Sequence, residues 1–173
     1  MDKLPLSFFQ RDVLDVSPDL LGKILVRRFD DGVIGRYRIT DVEAYRGEED
    51  RACHAWRGRT AHTEILYTEG GHIYVYLIYG IYWLLNIVTG SKDVPQGVMI
   101  RAVEGIYGPG RVGRELKLNV SLRGESIAGN KLWVEDSDER PEYITSPRIG
   151  IDYAGEWKDI PWRFTIKDQF RKK

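Results

Sequence analysis

The stretch from His72 to Thr89, HIYVYLIYGIYWLLNIVT, constrains the fold more than any other part of the chain. It is dense in aromatic and β-branched residues that nearly alternate, and Gly80 is the one strand breaker near its middle. The pattern predicts two antiparallel strands joined by a turn at Tyr79-Gly80. A tyrosine at such a tip either packs under a loop or projects outward to contact a partner.

The length of the tip loop decides which side chains share a face of this hairpin. An odd loop, such as Tyr79 to Ile81, puts Asn86 on the same face as Tyr74 and Tyr76. A two-residue loop puts Asn86 on the opposite face. The sequence leaves both registers open, and the odd one predicts an aromatic face with a single amide.

The length of 173 residues fits one domain, residues 1–173, because no linker, repeat or low-complexity run divides it. Short apolar runs interrupted by charges, and an N-terminus without a signal-peptide pattern, predict neither a transmembrane helix nor secretion. We therefore expect a cytoplasmic protein, associated with the nucleoid if the host is a prokaryote. The single cysteine, Cys53, excludes an internal disulfide.

Charge alone argues weakly against a nucleic-acid binder, because the formal net charge is zero and the pI is about 6.8. The charges are unevenly distributed along the chain. Acidic residues cluster at 48–50 and 135–142, and basic residues cluster at 111–123 and 163–173. A basic face opposed to an acidic one is compatible with DNA binding.

Local signals predict a mixed α/β (α+β) protein built on a curved, mainly antiparallel sheet with short flanking helices and a protruding aromatic β-hairpin. Ser17-Pro18 predicts a helix N-terminus, with Ser17 as the N-cap. Asp30-Asp31-Gly32 predicts a turn between two strands. The remaining expectations are strands at 23–29, 33–45, 97–104, 131–135 and 162–167, and a helix at 111–118 opened by Gly108-Pro109-Gly110.

Several polar residues in apolar strands are candidates for function. Asp41, Glu43 and Tyr45 alternate onto one face of a strand. A carboxylate on a half-buried strand is commonly an ion-pair partner, so the residues alone leave a catalytic role for Glu43 open. Arg101 lies between apolar residues and needs a carboxylate, for which Glu43 is the natural partner. Asn86 must be hydrogen-bonded, and its ordinary role would be to brace the backbone.

Cysteine and histidine do not form a metal-binding pattern. Cys53, His54, His62 and His72 match no zinc spacing, so we expect no metal. By itself, His54 is interpreted as a histidine of the core or of a pocket rim.

Six groups of residues occur in a suggestive order. They are Asp41 to Tyr45 (DVEAY), Glu49-Asp50 with Cys53-His54, Tyr74 to Asn86 (YVYLIYGIYWLLN), Val98 to Ala102 (VMIRA), Gly108 to Arg111 (GPGR) and Ala154 to Trp157 (AGEW). Each is weak alone, but together they resemble the alkyladenine (3-methyladenine, methylpurine) DNA glycosylase family over most of the chain.

The resemblance implies an enzyme of base-excision repair. Members of the family bind duplex DNA from the minor groove, flip out an alkylated or deaminated purine and hydrolyse its N-glycosidic bond without metal or cofactor. Glu43 matches the general base that activates the water. Arg101 matches an arginine that helps to hold that water, together with a backbone carbonyl at the position of Ile149. We expect the protein to act as a monomer.

The resemblance also assigns the binding pocket. Tyr45, His54 and Tyr76 match the residues that stack on the flipped base, and backbone groups near Ala52 and His54 match those that contact its edge.

Two further matches concern the DNA and the choice of base. Tyr79 matches the residue wedged into the space that the base has left, and Asn86 matches the side chain that excludes the guanine 2-amino group. No lysine falls at the matched pocket positions, so we expect hydrolysis without strand cleavage.

The chain departs from the family at two places. Residues 104–118 form a shorter segment than in long family members. His62-Thr63 and Leu66-Tyr67 replace the usual Arg-Asn and Met-Phe pairs, which puts a phosphate contact in doubt. The Gly108-Pro109-Gly110 element has two interpretations, a phosphate-binding helix start or an ordinary one.

Two other functions fit the residues. One is a non-catalytic module that stacks single-stranded bases on the aromatic hairpin. The other is a protein-interaction domain in which the tyrosines are core and Tyr79 docks a partner. Release of free methyladenine and salt-sensitive binding to duplex DNA would distinguish the enzyme from both.

Overall fold

The computed structural model describes residues 1–169. The basic end of the tail, Arg171-Lys172-Lys173, which the sequence suggests is solvated, lies outside the described residues. The strands are β1 (Ile24–Arg28), β2 (Ile34–Arg46), β3 (Ile73–Ile78), β4 (Tyr82–Val88), β5 (Gln96–Val103), β6 (Ile106–Tyr107), β7 (Leu132–Glu135), β8 (Tyr143–Ser146) and β9 (Arg163–Ile166). The helices are α1 (Leu6–Phe9), α2 (Val13–Leu20) and α3 (Pro109–Glu115), with 3₁₀ helices at His54–Arg57, Glu64–Tyr67, Val120–Leu122 and Asp152–Asp159.

The predicted antiparallel sheet is confirmed. Six strands follow the order β3-β4-β5-β2-β1-β7, while β6 pairs with β5 and the β8-β9 pair joins β2. Every strand pair among residues 1–169 is antiparallel. β2 is long enough to pair with β1 through its first half and with β5 and β9 through its second half, and this curls the sheet around the core.

The sheet buries one face in an apolar core and turns the other toward a cavity. Side chains alternate between the two faces of a strand. Val42 and Ala44 of β2 pack in the core with Val98 and Ile100 of β5, and α2 covers them. The intervening residues, which include Glu43, therefore point to the opposite face.

The β3-β4 hairpin has the odd register. Ile78 pairs with Tyr82, which leaves a three-residue loop from Tyr79 to Ile81. Tyr79 and Gly80 both have positive φ, 53° and 65°, and the Tyr79 conformation is uncommon for a residue with a side chain. As expected for this register, Tyr74 lies directly opposite Asn86.

The prediction for the first long helix is wrong. α2 begins at Val13, and Asp12 caps it by accepting the Leu14 N–H at 2.9 Å. Ser17 is buried inside the helix, where its hydroxyl donates to the Val13 carbonyl. Burial of the apolar face of α2 outweighs the penalty for Pro18 in the last turn.

Other boundaries differ less. The predicted helix at 111–118 is α3, which starts two residues earlier, with Gly108 as N-cap and Pro109 in the first position, and ends at Glu115. Lys117 follows it with a φ of 49°, which no helix can continue. Strands β6 and β8, helix α1 and the 3₁₀ helices were not predicted, because they are short and have no periodic pattern. None of the helices among residues 1–169 has the length and apolar character needed to cross a membrane.

Candidate active site

One row of paired residues crosses the sheet on its cavity side. Tyr74 of β3 lies opposite Asn86 of β4, Asn86 opposite Met99 of β5, and Met99 opposite Glu43 of β2. Strand pairing therefore brings a carboxylate, a thioether, an amide and a phenol onto one face within three strand spacings. The sequence places these residues up to 56 positions apart, Glu43 to Met99.

A cavity of about 540 Å³ lies over this row, within the size range of small-molecule sites. Tyr45, His54, Tyr76 and Asn86 line it, as do Ala52 and Ile149. The structure thus brings together the predicted pocket residues, along with Arg101 and Tyr79.

Glu43 is fully buried just beneath the cavity wall. Its Oε1 accepts from the Tyr45 hydroxyl at 3.1 Å and from Arg101 Nη1 at 3.3 Å, while Oε2 accepts the Ile149 N–H at 2.7 Å. Burial raises the pKa of Glu43 above its ordinary value of 4.5, although Arg101 and the Ile149 N–H oppose the shift. A carboxylate with a raised pKa accepts a proton more readily than an exposed one does.

A β-bulge positions Arg101. Asp41 pairs with Ala102 and Val42 with Ile100, so Arg101 is an extra residue with no partner on β2. Bulges change the direction of side chains near functional sites. The predicted contact with Glu43 is present, and Arg101 Nε has no hydrogen-bond partner among the described residues. Arg101 can therefore donate a further hydrogen bond to a molecule in the cavity.

A buried ion pair, absent from the sequence predictions, holds the cavity wall. Arg148 donates to the two Asp50 oxygens at 2.6 and 2.9 Å and to the Ala44 carbonyl at 3.0 Å, and both charged side chains have no exposed surface. Asp50 also accepts the N–H groups of Arg46 and Ala52 at 3.0 Å. The pair joins the end of β2 to the turn before His54.

The same arginine supports the segment that faces Glu43. Its guanidinium lies between the rings of Tyr45 and Trp162, 4.9 and 5.1 Å from their centroids. The next residue is Ile149, whose N–H reaches Glu43. Because the Ala52 N–H is bonded to Asp50, it is not free to contact a base, and the predicted edge contact at Ala52 is limited to its carbonyl.

Three aromatic rings form the opposite wall. His54 Nδ1 lies 2.8 Å from the Tyr74 hydroxyl, and its ring contacts Tyr76 edge-on at 4.5 Å. Burial, followed by the charges of His62 and Arg57, lowers the pKa of His54, so the ring is neutral at pH 7. Burial raises the pKa of Tyr74 to about 12, so its phenol is also neutral.

Asn86 presents an amide to the cavity from the sheet. Only 5% of the residue is exposed, and its Nδ2 has no hydrogen-bond partner among the described residues. The geometry therefore does not support the alternative role, in which the amide nitrogen braces the backbone. Asn86 lines the cavity beside Tyr76, and its effect on the pKa of that phenol, opposite in direction to the larger effect of burial, indicates that the two side chains interact.

Tyr79 is the most exposed large hydrophobic residue of the described chain, at 83%. It lines the cavity mouth from the hairpin tip, and Ile81 beside it is 68% exposed. A ring this open to solvent contributes little to the core.

Two observations concern metal binding and the reactivity of the Cys53 thiol. No cluster of three His, Cys, Asp or Glu side chains suited to a metal occurs among residues 1–169. Burial raises the pKa of Cys53 to about 12, so this thiol is protonated and unreactive at neutral pH.

Sequence reasoning missed Arg148 as a site residue and gave Asp50 and Met99 no role. Asp50 and Met99 lie within quoted motifs, but only the strand register and the buried ion pair define what they contact. Nothing in the sequence around Arg148 distinguishes a buried arginine from a surface one.

Comparison with known proteins agrees with the geometry. The model of the methylpurine-DNA glycosylase family matches residues 7–107 and 106–170. The two matched segments meet inside the stretch 104–118, which the sequence suggests is short.

Curated relatives match along nearly their whole length. A protein from Clostridium novyi is 39% identical over 196 residues, covering 97% of this chain and 96% of the relative. Proteins from Methanocella arvoryzae and Anaeromyxobacter dehalogenans are 40% and 41% identical, over 97% and 95% of this chain and 94% and 82% of their own lengths. All three carry the provisional name 3-methyladenine DNA glycosylase.

A DNA glycosylase is a hydrolase of N-glycosyl bonds, which is the enzyme class that the motifs predicted. Because the family model covers most of the sequence and the relatives are near 40% identical over almost all of it, the chain belongs to the methylpurine-DNA glycosylase family.

Proposed function

We propose that residues 1–173 form one glycosylase domain that removes alkylated or deaminated purines, such as 3-methyladenine, from duplex DNA. The monomeric protein approaches the minor groove, flips the damaged nucleotide into the cavity and hydrolyses its glycosidic bond without metal or cofactor. In a prokaryotic host, a DNA substrate would place the protein at the nucleoid, in the cytoplasm.

The observation that carries this proposal is the placement of Glu43. A fully buried carboxylate lies under an aromatic cavity of about 540 Å³, and burial raises its pKa. Carboxyl groups in such surroundings are candidates for general bases.

In the proposed reaction, a water oxygen bonds to C1′ of the flipped nucleotide as the bond from C1′ to the purine nitrogen breaks. The purine keeps the electron pair of the broken bond, and the water proton passes to Glu43. An alkylated purine such as 3-methyladenine is cationic in the DNA and leaves as a neutral base. One positioned carboxylate is therefore sufficient to catalyse cleavage of its glycosidic bond.

Arg101 orients the water. Its guanidinium contacts Glu43 at 3.3 Å and lines the cavity, so it can donate to a water that in turn donates to the carboxylate. The Ile149 carbonyl accepts from the same water, while the Ile149 N–H keeps Glu43 in place.

Three aromatic rings that line the cavity stack on the base. Tyr45, His54 and Tyr76 offer neutral, electron-rich rings, and a neutral His54 does not repel a cationic purine. Stacking on such rings is worth about 1 to 3 kcal/mol per base and depends little on ring substituents. The pocket therefore accepts several lesions.

Tyr79 occupies the space that the flipped base leaves in the duplex. An inserted side chain offsets the few kcal/mol that unstacking costs. The exposure of Tyr79 at the hairpin tip suits this role.

No lysine lines the cavity in the described part of the chain, so no Schiff-base nucleophile is at hand. The product is accordingly an intact strand with an abasic site.

A panel of duplexes tests the proposal. Each contains one 3-methyladenine, 7-methylguanine, hypoxanthine or ethenoadenine, and free base and abasic sites are measured. The proposal predicts release of at least one free purine, with strand breaks appearing only after alkali. DNA binding without any base release would favour the non-catalytic module.

A further inference from the structure

A second buried carboxylate lies on the face of β2 that carries Glu43. Asp41 precedes Glu43 by two residues on the strand, so the two side chains share a face, and the residues are only 2% and 0% exposed. Each carboxylate has an arginine of its own. Glu43 contacts Arg101, and Asp41 contacts Arg163 of β9. The proposed reaction uses the first ion pair and gives the second no role.

The two ion pairs differ in geometry. Arg101 reaches Glu43 through one contact of 3.3 Å. Arg163 forks around the Asp41 carboxylate, with Nε 3.2 Å from both oxygens and Nη2 2.7 Å from Oδ2. These hydrogen bonds raise the pKa of Arg163 above its ordinary value despite burial. Asp41 therefore holds its arginine more firmly than Glu43 holds Arg101.

The strand register makes Glu43, and not Asp41, the direct neighbour of Arg163. Glu43 pairs with Arg163 across β2 and β9, whereas Asp41 pairs with Thr165. Directly opposite residues project to the same face of a sheet, with Cβ atoms about 4.5 to 5.5 Å apart. The guanidinium nevertheless reaches diagonally to Asp41. Asp41 thus binds a cation that would otherwise lie beside Glu43.

Glu43 has little capacity left for another hydrogen-bond donor. An ionised carboxylate offers about four acceptor sites. The Tyr45 hydroxyl, Arg101 and the Ile149 N–H already occupy three of them. The attacking water needs the remaining site in order to give its proton to the carboxylate. A second guanidinium at Glu43 would compete with the water for that site.

Charge acts in the same direction as this competition. Burial raises the pKa of Glu43, Arg101 opposes that rise, and the charge of Asp41 adds to it. Loss of the Asp41 charge and the approach of Arg163 would both make Glu43 a weaker base. Within residues 1–169, the titratable side chains that interact electrostatically with Glu43 include Asp41 and Tyr45 of β2, Tyr76 of β3, Arg101 of β5 and Arg163 of β9.

We propose that Asp41 is a positioning residue that holds Arg163 away from Glu43 and so keeps the general base open to the attacking water. The inference rests on the proposed function, because it takes Glu43 as the base. Asp41 itself touches neither the water nor the purine. Its forked contact with Arg163 leaves the last acceptor site of Glu43 unoccupied until the water arrives.

The pH profile of Asp41→Asn tests this role. Single-turnover release of 3-methyladenine is measured from pH 5 to 8, where deprotonation of Glu43 sets the acid limb. Asp41→Asn should move the midpoint of that limb to lower pH, because an anion beside Glu43 is lost and a cation is gained. The plateau rate should fall at least tenfold, a part of the about 10²- to 10⁴-fold that a general base contributes.

The double variant Asp41→Asn/Arg163→Gln separates positioning from structural damage. It lacks the cation that Asp41→Asn releases, so its plateau rate should return to within a few-fold of wild type. Asp136→Asn is the control, because it breaks an ion pair with the buried Lys23 next to β7, two strands away from β2. The control should keep the wild-type profile. A wild-type profile for Asp41→Asn, or a double variant as slow as Asp41→Asn, would overturn the proposal.

Arg163→Lys applies the same test without removing a charge. Lysine cannot fork around the Asp41 carboxylate, so its ammonium is held less firmly and is freer to approach Glu43. The midpoint should move in the same direction as for Asp41→Asn, by a smaller amount. Thermal unfolding verifies that each variant is folded. Should Asp41→Asn fail to fold, an unchanged midpoint for Arg163→Lys would by itself refute the role of Asp41.

Thermal unfolding also separates this inference from the proposed function, because it needs no substrate. Glu43→Gln in the wild-type background should raise Tm at pH 7, since it removes a buried charge. In the Asp41→Asn background Arg163 compensates that charge, so the gain should vanish or reverse. An equal gain in both backgrounds would contradict the proposal whether or not bases are released.

The two proposals therefore fail in different ways. Base release with a wild-type pH profile for Asp41→Asn would leave the glycosylase intact and remove the role of Asp41. The predicted Tm changes without any base release would support the arrangement of Asp41 and Arg163 around Glu43 and reject the glycosylase.

Discussion

Glu43 occupies a position that disfavours its charge. It has no exposed surface, and its two oxygens accept three hydrogen bonds that only partly offset burial. A group whose pKa is raised on folding destabilises the folded state at every pH above that raised value. Burial of Glu43 therefore lowers the stability of the folded protein in return for a carboxylate with a raised pKa, a trade-off that is common at functional sites.

Replacing Glu43 by glutamine should stabilise the protein near neutral pH. Glutamine resembles the protonated carboxyl, so Glu43→Gln removes the cost of burying a charge. Tm at pH 7 should rise by about 2 to 4 °C for each kcal/mol recovered.

The gain from Glu43→Gln has a defined pH dependence. In the wild type, protons bind more tightly to folded Glu43 than to unfolded Glu43, so the cost disappears as pH falls through the raised pKa toward 4.5. Tm of both proteins is measured from pH 4.5 to 8. A gain that is constant over this range, or a loss at pH 7, would show that Glu43 is not destabilised by burial.

Asn86 is the residue whose replacement should change specificity. Its side chain lines the cavity, where it would crowd a 2-amino group, which guanine has and adenine and hypoxanthine lack. Asn86→Ser should raise release of 7-methylguanine relative to 3-methyladenine by up to about 1 to 3 kcal/mol. Single-turnover rates on both substrates give the ratio. An unchanged ratio with a large loss of stability would mean that Asn86 serves the core.

Strand register, a bulge and a buried ion pair assemble the candidate active site. The three-residue loop puts Asn86 in line with Glu43, and the bulge at Arg101 brings a cation to the carboxylate. Arg148 and Asp50 join the strand that holds Glu43 to two wall segments. Each device connects parts of the chain that are far apart in sequence.

Removing the Tyr79 side chain should weaken DNA binding by an amount that depends on how well the lesion is stacked in the duplex. Tyr79→Ala should weaken binding to a fully paired lesion about tenfold more than to a lesion in a mismatch, since unstacking costs a few kcal/mol less there. Equilibrium titration of both duplexes measures the difference. Ile81→Ala, at the same tip, is the control and should change the two affinities equally. An equal loss with Tyr79→Ala would make the tyrosine an ordinary contact.

Breaking the buried ion pair should be strongly destabilising. Asp50→Asn leaves Arg148 buried without a counter-charge, which typically costs about 3 to 5 kcal/mol. Urea denaturation measures the loss. Lys167→Gln breaks the exposed pair with Glu142 and should cost about 0 to 1 kcal/mol. A loss below that of the surface control would contradict the structural role of the pair.

The sequence predicted local pairing well and long-range contacts poorly. The DVEAY strand and the aromatic hairpin have clear period-two patterns, so their strands and the pairing of Arg101 with Glu43 could be anticipated. Asp12, and not the predicted Ser17, is the N-cap of α2, because tertiary packing in the core outweighs the local preference at Ser17. The Arg148 ion pair depends on contacts 98 residues apart, which no local pattern encodes.

The net charge of zero for the whole chain does not show where unpaired charges lie on its surface. The acidic segment that the sequence contrasts with a basic face is largely neutralised, since Glu135, Asp136, Glu139 and Glu142 all form salt bridges. Among residues 1–169, Arg57 and Arg123 lie near the cavity and form no salt bridge. The local field around the cavity therefore depends on the position of unpaired charges rather than on their sum.

Single-turnover release of 3-methyladenine by Glu43→Gln shows whether Glu43 acts as the base in hydrolysis. Glutamine preserves the shape of the side chain but cannot take a proton from water, and loss of a general base typically costs about 10² to 10⁴ in rate. Lesion binding should remain within a few-fold of wild type. Base release that also stays within a few-fold of wild type would remove Glu43 from the mechanism.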